Sequence, residues 1–249
     1  MSKRQEIRAR RQKKQMRNRI LVILLVVVVA LLLVLVLILP SINRTRVLAN
    51  AASVTVTPIT PRVFKSTVDG VHLGNANAPV KIDVWEDFQC SSCLSYSQTI
   101  EPQVIQALVD TGKVYYTFHF FPFIETLSTV PNSESHQAAN AAMCAADQGR
   151  FWDYHDILFA NNIGENVGSY TDVRLVAMAK TINLNMTQFD QCFQANKHQA
   201  AIDQDMAAGQ AKGVNGTPTL FVNGTVVAPG YIPSFAQIQT AVTAALPKQ

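Results

Sequence analysis

Residues 80–93 read VKIDVWEDFQCSSC, and this stretch decides the fold class. Val80–Glu86 is an apolar run of strand length opened by Pro79. After Cys93, the residues Leu94, Ile100, Val104, Ile105 and Leu108 recur at helical spacing until Gly112, with Pro102 expected to kink the helix. Val114–Phe120, VYYTFHF, reads as a second strand. A strand–helix–strand order predicts a parallel pair joined by a crossover. The cysteine pair therefore stands where a strand ends and a helix begins. There Cys90 meets unpaired N–H groups and the positive end of the helix dipole, both of which favour thiolate over thiol. Cys93, one turn later, is placed to attack a mixed disulfide formed at Cys90.

Further along, helices are expected over 136–146, 151–159, 171–181, 186–192 and 198–212. Strands resume at Thr219–Val222 and Thr225–Val227, and Asn223-Gly224 between them signals a two-residue hairpin. An amphipathic helix over 234–246 ends the pattern. The class is α/β, with two mixed halves flanking a long helical region.

Toward the N-terminus, residues 20–39 are twenty apolar residues without a charge, long enough as a helix for a roughly 30 Å hydrocarbon core. Nine Lys or Arg lie within 1–19, and only Arg44 and Arg46 follow closely. By the positive-inside rule this predicts a cytoplasmic basic tail (1–19), one transmembrane helix acting as a signal-anchor (20–39), and everything beyond outside the cell membrane. Residues 40–70, with Pro58 and Pro61, read as an extracytoplasmic linker, with room for a short strand at 53–57. The folded domain is expected over 71–249. The formal charge of +4 comes from the tail: residues 41–249 hold 12 basic and 16 acidic residues. No basic patch points to nucleic acid.

Four cysteines allow three pairings. A zinc site needs close ligand pairs, whereas Cys144 and Cys192 are isolated and the histidines have no motif spacing, so no metal is expected. A purely structural Cys90–Cys93 staple would close too short a loop to restrain the unfolded chain.

Asp87-Phe88-Gln89-Cys90-x-x-Cys93 and Gly216-Thr217-Pro218-Thr219 resemble the DsbA-like branch of thioredoxin-fold oxidoreductases. So do Leu73-Gly74-Asn75-Ala76-Asn77-Ala78-Pro79, Gln148-Gly149-Arg150-Phe151-Trp152 with His155 and Leu158-Phe159, and Phe189-Asp190-Gln191-Cys192. The resemblance spans about 71–246. It implies a thioredoxin fold with a helical insertion at roughly 122–212, and thiol–disulfide exchange on exported proteins in a bacterial envelope. It gives Cys90 the nucleophile role, Cys93 the resolving role and Thr217–Pro218 the cis-proline loop. It pairs Cys144 with Cys192 in a structural disulfide, against free thiols or a second redox relay. Ser91-Ser92 departs from the family, where proline and an aromatic or histidine are common, so a less acidic Cys90 and a weaker oxidant are expected.

Glu86 and Asp87 are the candidates for proton transfer beside the pair. Strand alternation sets Val84 and Glu86 on one face and Trp85 on the other, without saying which is inward. His119 is a weaker proton-transfer candidate, and His155 reads as packing in the insertion. Phe120, Phe121 and Phe123 read as core rather than substrate-facing surface. The expected function is a membrane-tethered thiol:disulfide oxidoreductase that introduces disulfides into exported proteins. It requires no cofactor, and by family analogy it is reoxidised by a quinone-linked membrane partner. The alternatives are an extracytoplasmic reductase or isomerase, and a chaperone-like binding module with a structural disulfide.

Overall fold

The computed structural model describes residues 45–128 and 133–247, together with 16, 19, 21 and 23–34. It separates into two units, Met1–Asn50 and Ala51–Gln249. In the first, the described residues 23–34 are helical. Among the described residues no helix is long and apolar enough to cross a membrane. This corrects the expected transmembrane helix at 20–39. With it go the signal-anchor, the bilayer contact and the single-pass topology with a cytoplasmic N-terminus. The rest of 20–39, and all of 1–19 except 16 and 19, lies outside the described residues.

The second unit is built on one sheet. Its strands are β1 (Val68–Asp69), β2 (His72–Leu73), β3 (Val80–Glu86), β4 (Val114–Phe120), β5 (Thr219–Val222) and β6 (Thr225–Val227), in the order β1-β2-β4-β3-β5-β6. Only β3 and β4 run parallel, and β5 lies antiparallel on the other side of β3. The β1 and β2 strands are two residues each, too short to show period-2 patterning in sequence. Among the described residues none at 53–57 is a strand.

The β3 strand is central, and both of its faces are covered. Val80, Ile82 and Val84 have no exposed area. On the opposite face Trp85 is buried with Phe121, Val214 and Phe221. This is why alternation alone left the inward face undecided: a strand sandwiched between layers buries both of its sets of side chains. The helix Gln199–Ala211 lies over Trp85, and Gly209 permits the approach, since a Cβ there would meet Trp85 Nε1 at 2.6 Å. Phe120 and Phe121 are buried in the core.

After β3 comes helix α1 (Ser91–Thr99). It does not kink at Pro102 but stops at Ile100, and α2 (Glu101–Val104) begins with Pro102 in its first turn. Proline is tolerated there because first-turn N–H groups have no partner within the helix. A π-turn, Ile105–Val109, completes the crossover. The insertion between β4 and β5 supplies α3 (Glu134–Ala146), α4 (Phe151–Ala160), α5 (Asp172–Thr181), α6 (Met186–Gln194) and α7 (Gln199–Ala211). A disulfide between Cys144 and Cys192 ties α3 to α6. Helix α8 (Phe235–Ala245) closes the chain on a capping box in which Ser234 and Gln237 bond reciprocally.

The stretch read as a linker carries specific contacts. Thr57 N–H donates to Asn161 Oδ1 at 2.8 Å, and Ser66 N–H donates to Asp110 Oδ1 at 3.1 Å. Arg62 forks onto Asp156, with Nε–Oδ2 2.7 Å and Nη2–Oδ1 2.6 Å, and reaches Glu101 Oε2 at 2.8 Å through Nη1.

Candidate active site

The register of β3 against β5 builds the site. Trp85 pairs with Thr219, so the loop ending at Pro218 arrives beside the turn that follows Glu86. The Thr217–Pro218 peptide is cis. The Cys90 thiol points at Thr217 O, 3.3 Å away. Both Cys90 and Cys93 are free thiols and both are buried.

Their acidities are split by position. Cys90 caps α1 in an extended conformation. A hydrogen bond from the Cys93 thiol lowers its pKa most. Burial opposes that, while the Thr217 side chain and the N–H groups of Cys93 and Ser92 assist, bringing Cys90 to about 6. Cys93 sits deeper, and burial, the hydrogen bond to Cys90 and the nearby Glu86 charge push its pKa well up. One sulfur is poised as a thiolate and the other holds its proton, as a nucleophile and a resolving partner require.

The two acidic residues of the turn do different work. Asp87 is buried but its carboxylate is fully engaged. Oδ1 accepts from Gln89 N–H at 2.9 Å, and Oδ2 accepts from Ile124 N–H at 2.9 Å and the Ser135 hydroxyl at 2.8 Å. Burial outweighs these donors and raises its pKa to about 7. Asp87 thus pins the start of the insertion to the cysteine turn. Glu86 is 1% exposed, and among the described residues no N–H or O–H donor takes either of its carboxyl oxygens. Its neighbour is the Cys93 thiol, a weak donor. Burial first, then the negative charges of Glu101 and Cys90, raise Glu86 well above the usual carboxylate range.

Behind Glu86 lies a buried polar cluster. Glu101 Oε1 accepts from Tyr116 OH at 3.3 Å and lies 3.7 Å from His155 Nε2, and Tyr96 and Tyr116 hydroxyls meet at 3.3 Å. Glu86, Glu101 and His155 each offer a ligand-type atom, all within 4.8 Å of one another. Arg62 already supplies a cation there, through Glu101 and a 3.3 Å approach to His155 Nδ1. Cys144, Cys192 and His198 form a second such group, but both of its sulfurs are taken by the disulfide.

His155 is fully buried and also packs against Phe88 and Phe159, so it serves both the aromatic core and the polar cluster. His119 lies on the Trp85 face, opposite Glu86, and stacks on Trp85 at 4.1 Å. Burial would lower its pKa, but hydrogen bonds to Asp205 and Asp83 prevail and raise it to about 9. It is an ion-pair cation at neutral pH, held between Asp205 and Asp83.

A groove of about 130 Å³ runs beside the pair, lined by Ser92, Thr217, Pro218, Val227 and Tyr231. Tyr231 projects into solvent at its edge, 79% exposed. Four contributors were not evident from the sequence. Arg62 and Glu101 lacked any local signal. Gln89 and Glu165, which organise the turn, act through partners 46 to 77 residues away.

A family profile described as thioredoxin matches residues 66–243. A probable disulfide bond formation protein D of Bacillus cereus is 27% identical over 161 residues, covering 64% of this chain and 72% of that protein. The Na(+)/H(+) antiporter NhaA 3 of Salinispora tropica is 32% identical over 151 residues, covering 61% of this chain but only 21% of that protein. Among solved structures, oxidised BdbD from Bacillus subtilis superposes with a TM-score of 0.61 at 22% identity, over 73% of this chain and 96% of its own.

Proposed function

From the premise that this chain belongs to the thioredoxin family, and is a protein thiol:disulfide oxidoreductase, we propose that it introduces disulfides into exported proteins by exchange at Cys90. A single observation carries the mechanism. Cys90 sits at a helix start, 3.3 Å from Thr217 O, with its pKa lowered to about 6, while Cys93 behind it is driven the other way.

In the oxidised protein a substrate thiolate attacks Cys90 Sγ. The Cys90–Cys93 bond breaks, and Cys93 leaves as a thiolate in a buried, unfavourable site. Glu86, protonated because it is buried and faces other anions, gives Cys93 its proton. A second substrate thiolate then attacks the substrate sulfur of the mixed disulfide, and Cys90 departs as the stabilised thiolate. The substrate loses two electrons and the cysteine pair gains them. Asp87, its oxygens taken by three donors, positions the turn. The groove beside Pro218, edged by Tyr231, receives the substrate backbone next to the sulfur.

The oxidising direction is supported by the Bacillus cereus relative named for disulfide bond formation. It is also supported by the Cys144–Cys192 bond, since such bonds persist in oxidising, extracytoplasmic compartments. A Cys90 pKa of about 6 lies nearer the thioredoxin value of about 7 than the DsbA value of about 3.5, which marks a moderate oxidant. The test is oxidative refolding of a reduced substrate by wild type and Cys90→Ser. Loss of activity in the variant is expected. Equal activity would overturn exchange at Cys90, and a wild type that only reduces substrate would overturn the direction.

A further inference from the structure

Three backbone N–H groups open the helix that follows Cys90, and they are shared between two acceptors. Those of Ser92 and Cys93 bond the Cys90 sulfur and favour its thiolate. That of Ser91 donates instead to Glu165 Oε1, at 3.1 Å. Glu165 arrives from 74 residues downstream, in the loop between α4 and α5.

This loop is bolted to the turn that carries the cysteines. Asn162 Nδ2 donates to Phe88 O at 2.8 Å and to Gln89 O at 3.2 Å. Asn166 N–H donates to Gln89 Oε1 at 2.7 Å. Farther out, Gly168 and Tyr170 N–H groups donate to the Glu134 carboxylate at 2.9 and 3.0 Å, and Tyr170 OH donates to Phe88 O at 2.8 Å. The backbone on both sides of Glu165 is therefore fixed against the residue that immediately precedes Cys90. Glu165 itself is exposed, so its own burial does not account for its position.

We propose that Glu165 is a positioning residue whose carboxylate caps the first turn of the active-site helix and makes Cys90 harder to hold as a thiolate. A helix N-terminus carries roughly half a positive charge, concentrated on its unpaired N–H groups. When the pair is reduced, the Cys90 thiolate and the Glu165 carboxylate draw on that same end, and they repel each other. The reduced state is disfavoured, and the disulfide becomes a weaker oxidant than the helix alone would produce. The exchange chemistry is unchanged; Glu165 adjusts its driving force. The inference rests on Cys90 being the exchanging sulfur, but its first readout does not need exchange.

The test uses the full chain with Glu165→Gln, which keeps an oxygen to accept from Ser91 N–H and removes the charge. Thiolate absorbance of the reduced protein is titrated with pH at low salt, and the pair is equilibrated with glutathione. A lowering of the Cys90 midpoint by about half a pH unit is expected, with a shift of about threefold toward the reduced protein. Both effects should shrink above ~0.5 M salt, where the Debye length falls to a few Å. A midpoint within about 0.1 unit of wild type would overturn the proposal. So would a shift seen in Glu165→Ala but not in Glu165→Gln, because the hydrogen bond rather than the charge would then be responsible. If neither protein exchanges with glutathione but the midpoint still moves, exchange at Cys90 fails and the role of Glu165 stands.

Discussion

Replacing Glu86 by Gln should make the protein more stable and slower. Glu86 is 1% exposed, no N–H or O–H donor among the described residues takes either carboxyl oxygen, and its pKa is driven well up from 4.5 by burial and by the Glu101 and Cys90 charges. The sign follows from linkage. A group whose folded pKa is raised contributes fully below its unfolded pKa, and that contribution is lost as pH climbs toward the folded value. The unfolded chain ionises this carboxyl freely above about pH 4.5, and the folded protein resists. Each pH unit between the unfolded and the folded pKa costs about 1.4 kcal/mol, so the penalty grows as pH rises above about 4.5 toward neutrality. Gln fills the same space without that penalty, although its amide oxygen meets no N–H or O–H donor among the described residues either, which returns about 1 kcal/mol or more. A net gain is expected at pH 7, where the ionisation penalty exceeds the cost of the amide, turning to a loss of about 1 kcal/mol near pH 4, where only the cost of the amide remains. Urea unfolding of wild type and Glu86→Gln at pH 4, 5.5 and 7 would read it. Parallel pH dependences in the two proteins would refute the account of Glu86 as a buried, proton-holding carboxyl. The same substitution removes the proton source for Cys93. On the proposed mechanism, formation of the mixed disulfide, the step in which Cys93 leaves, should then slow by about two orders of magnitude at pH 7, measured by single-turnover kinetics.

Three further outcomes follow from the geometry. In the reduced protein, Cys90 should titrate with a midpoint near pH 6, so reaction with an alkylating agent rises tenfold per unit below it and levels off above; a midpoint beyond 8 would contradict the hydrogen bonding described. Arg62→Met leaves Glu101 and Asp156 without their cation inside the fold, and unfolding should become easier by about 3 kcal/mol; a change under about 1 kcal/mol would mean that the stretch before β1 is a passive tether. Removing both Cys144 and Cys192 opens a loop of 48 residues and should cost about 4 kcal/mol on the chain-entropy estimate, with the exchange rate at Cys90 within about twofold of wild type; a large rate loss would instead make that disulfide part of the redox chemistry.

Much of the architecture was legible because it is local. Val80–Glu86 and Val114–Phe120 coincide with β3 and β4, and Asn223-Gly224 joins β5 to β6. What escaped was short or nonlocal. The two-residue β2 strand exists only through its ladder onto β4, and the two-residue β1 only through its pairing with β2. Pro102 begins a helix rather than bending one. The apolar run at 20–39 satisfied a length-and-charge rule, yet among the described residues no helix is long and apolar enough to cross a membrane.

The reaction type is written into a short local stretch of the chain. A strand, a turn and a helix, with two cysteines at the junction, specify backbone geometry and dipole direction within a dozen residues, and those suffice to favour a thiolate at Cys90. Tertiary structure alone decided the electrostatic setting of that thiolate. Thr217 meets Cys90 across 127 residues of chain, and Glu165 meets Ser91 across 74. It also separated two adjacent acids: Asp87 is spent on three donors, and Glu86 is left facing Cys93. Periodicity reports which side of an element is covered, whereas a buried group's proton affinity depends on the few atoms packed around it, and those come from distant parts of the chain.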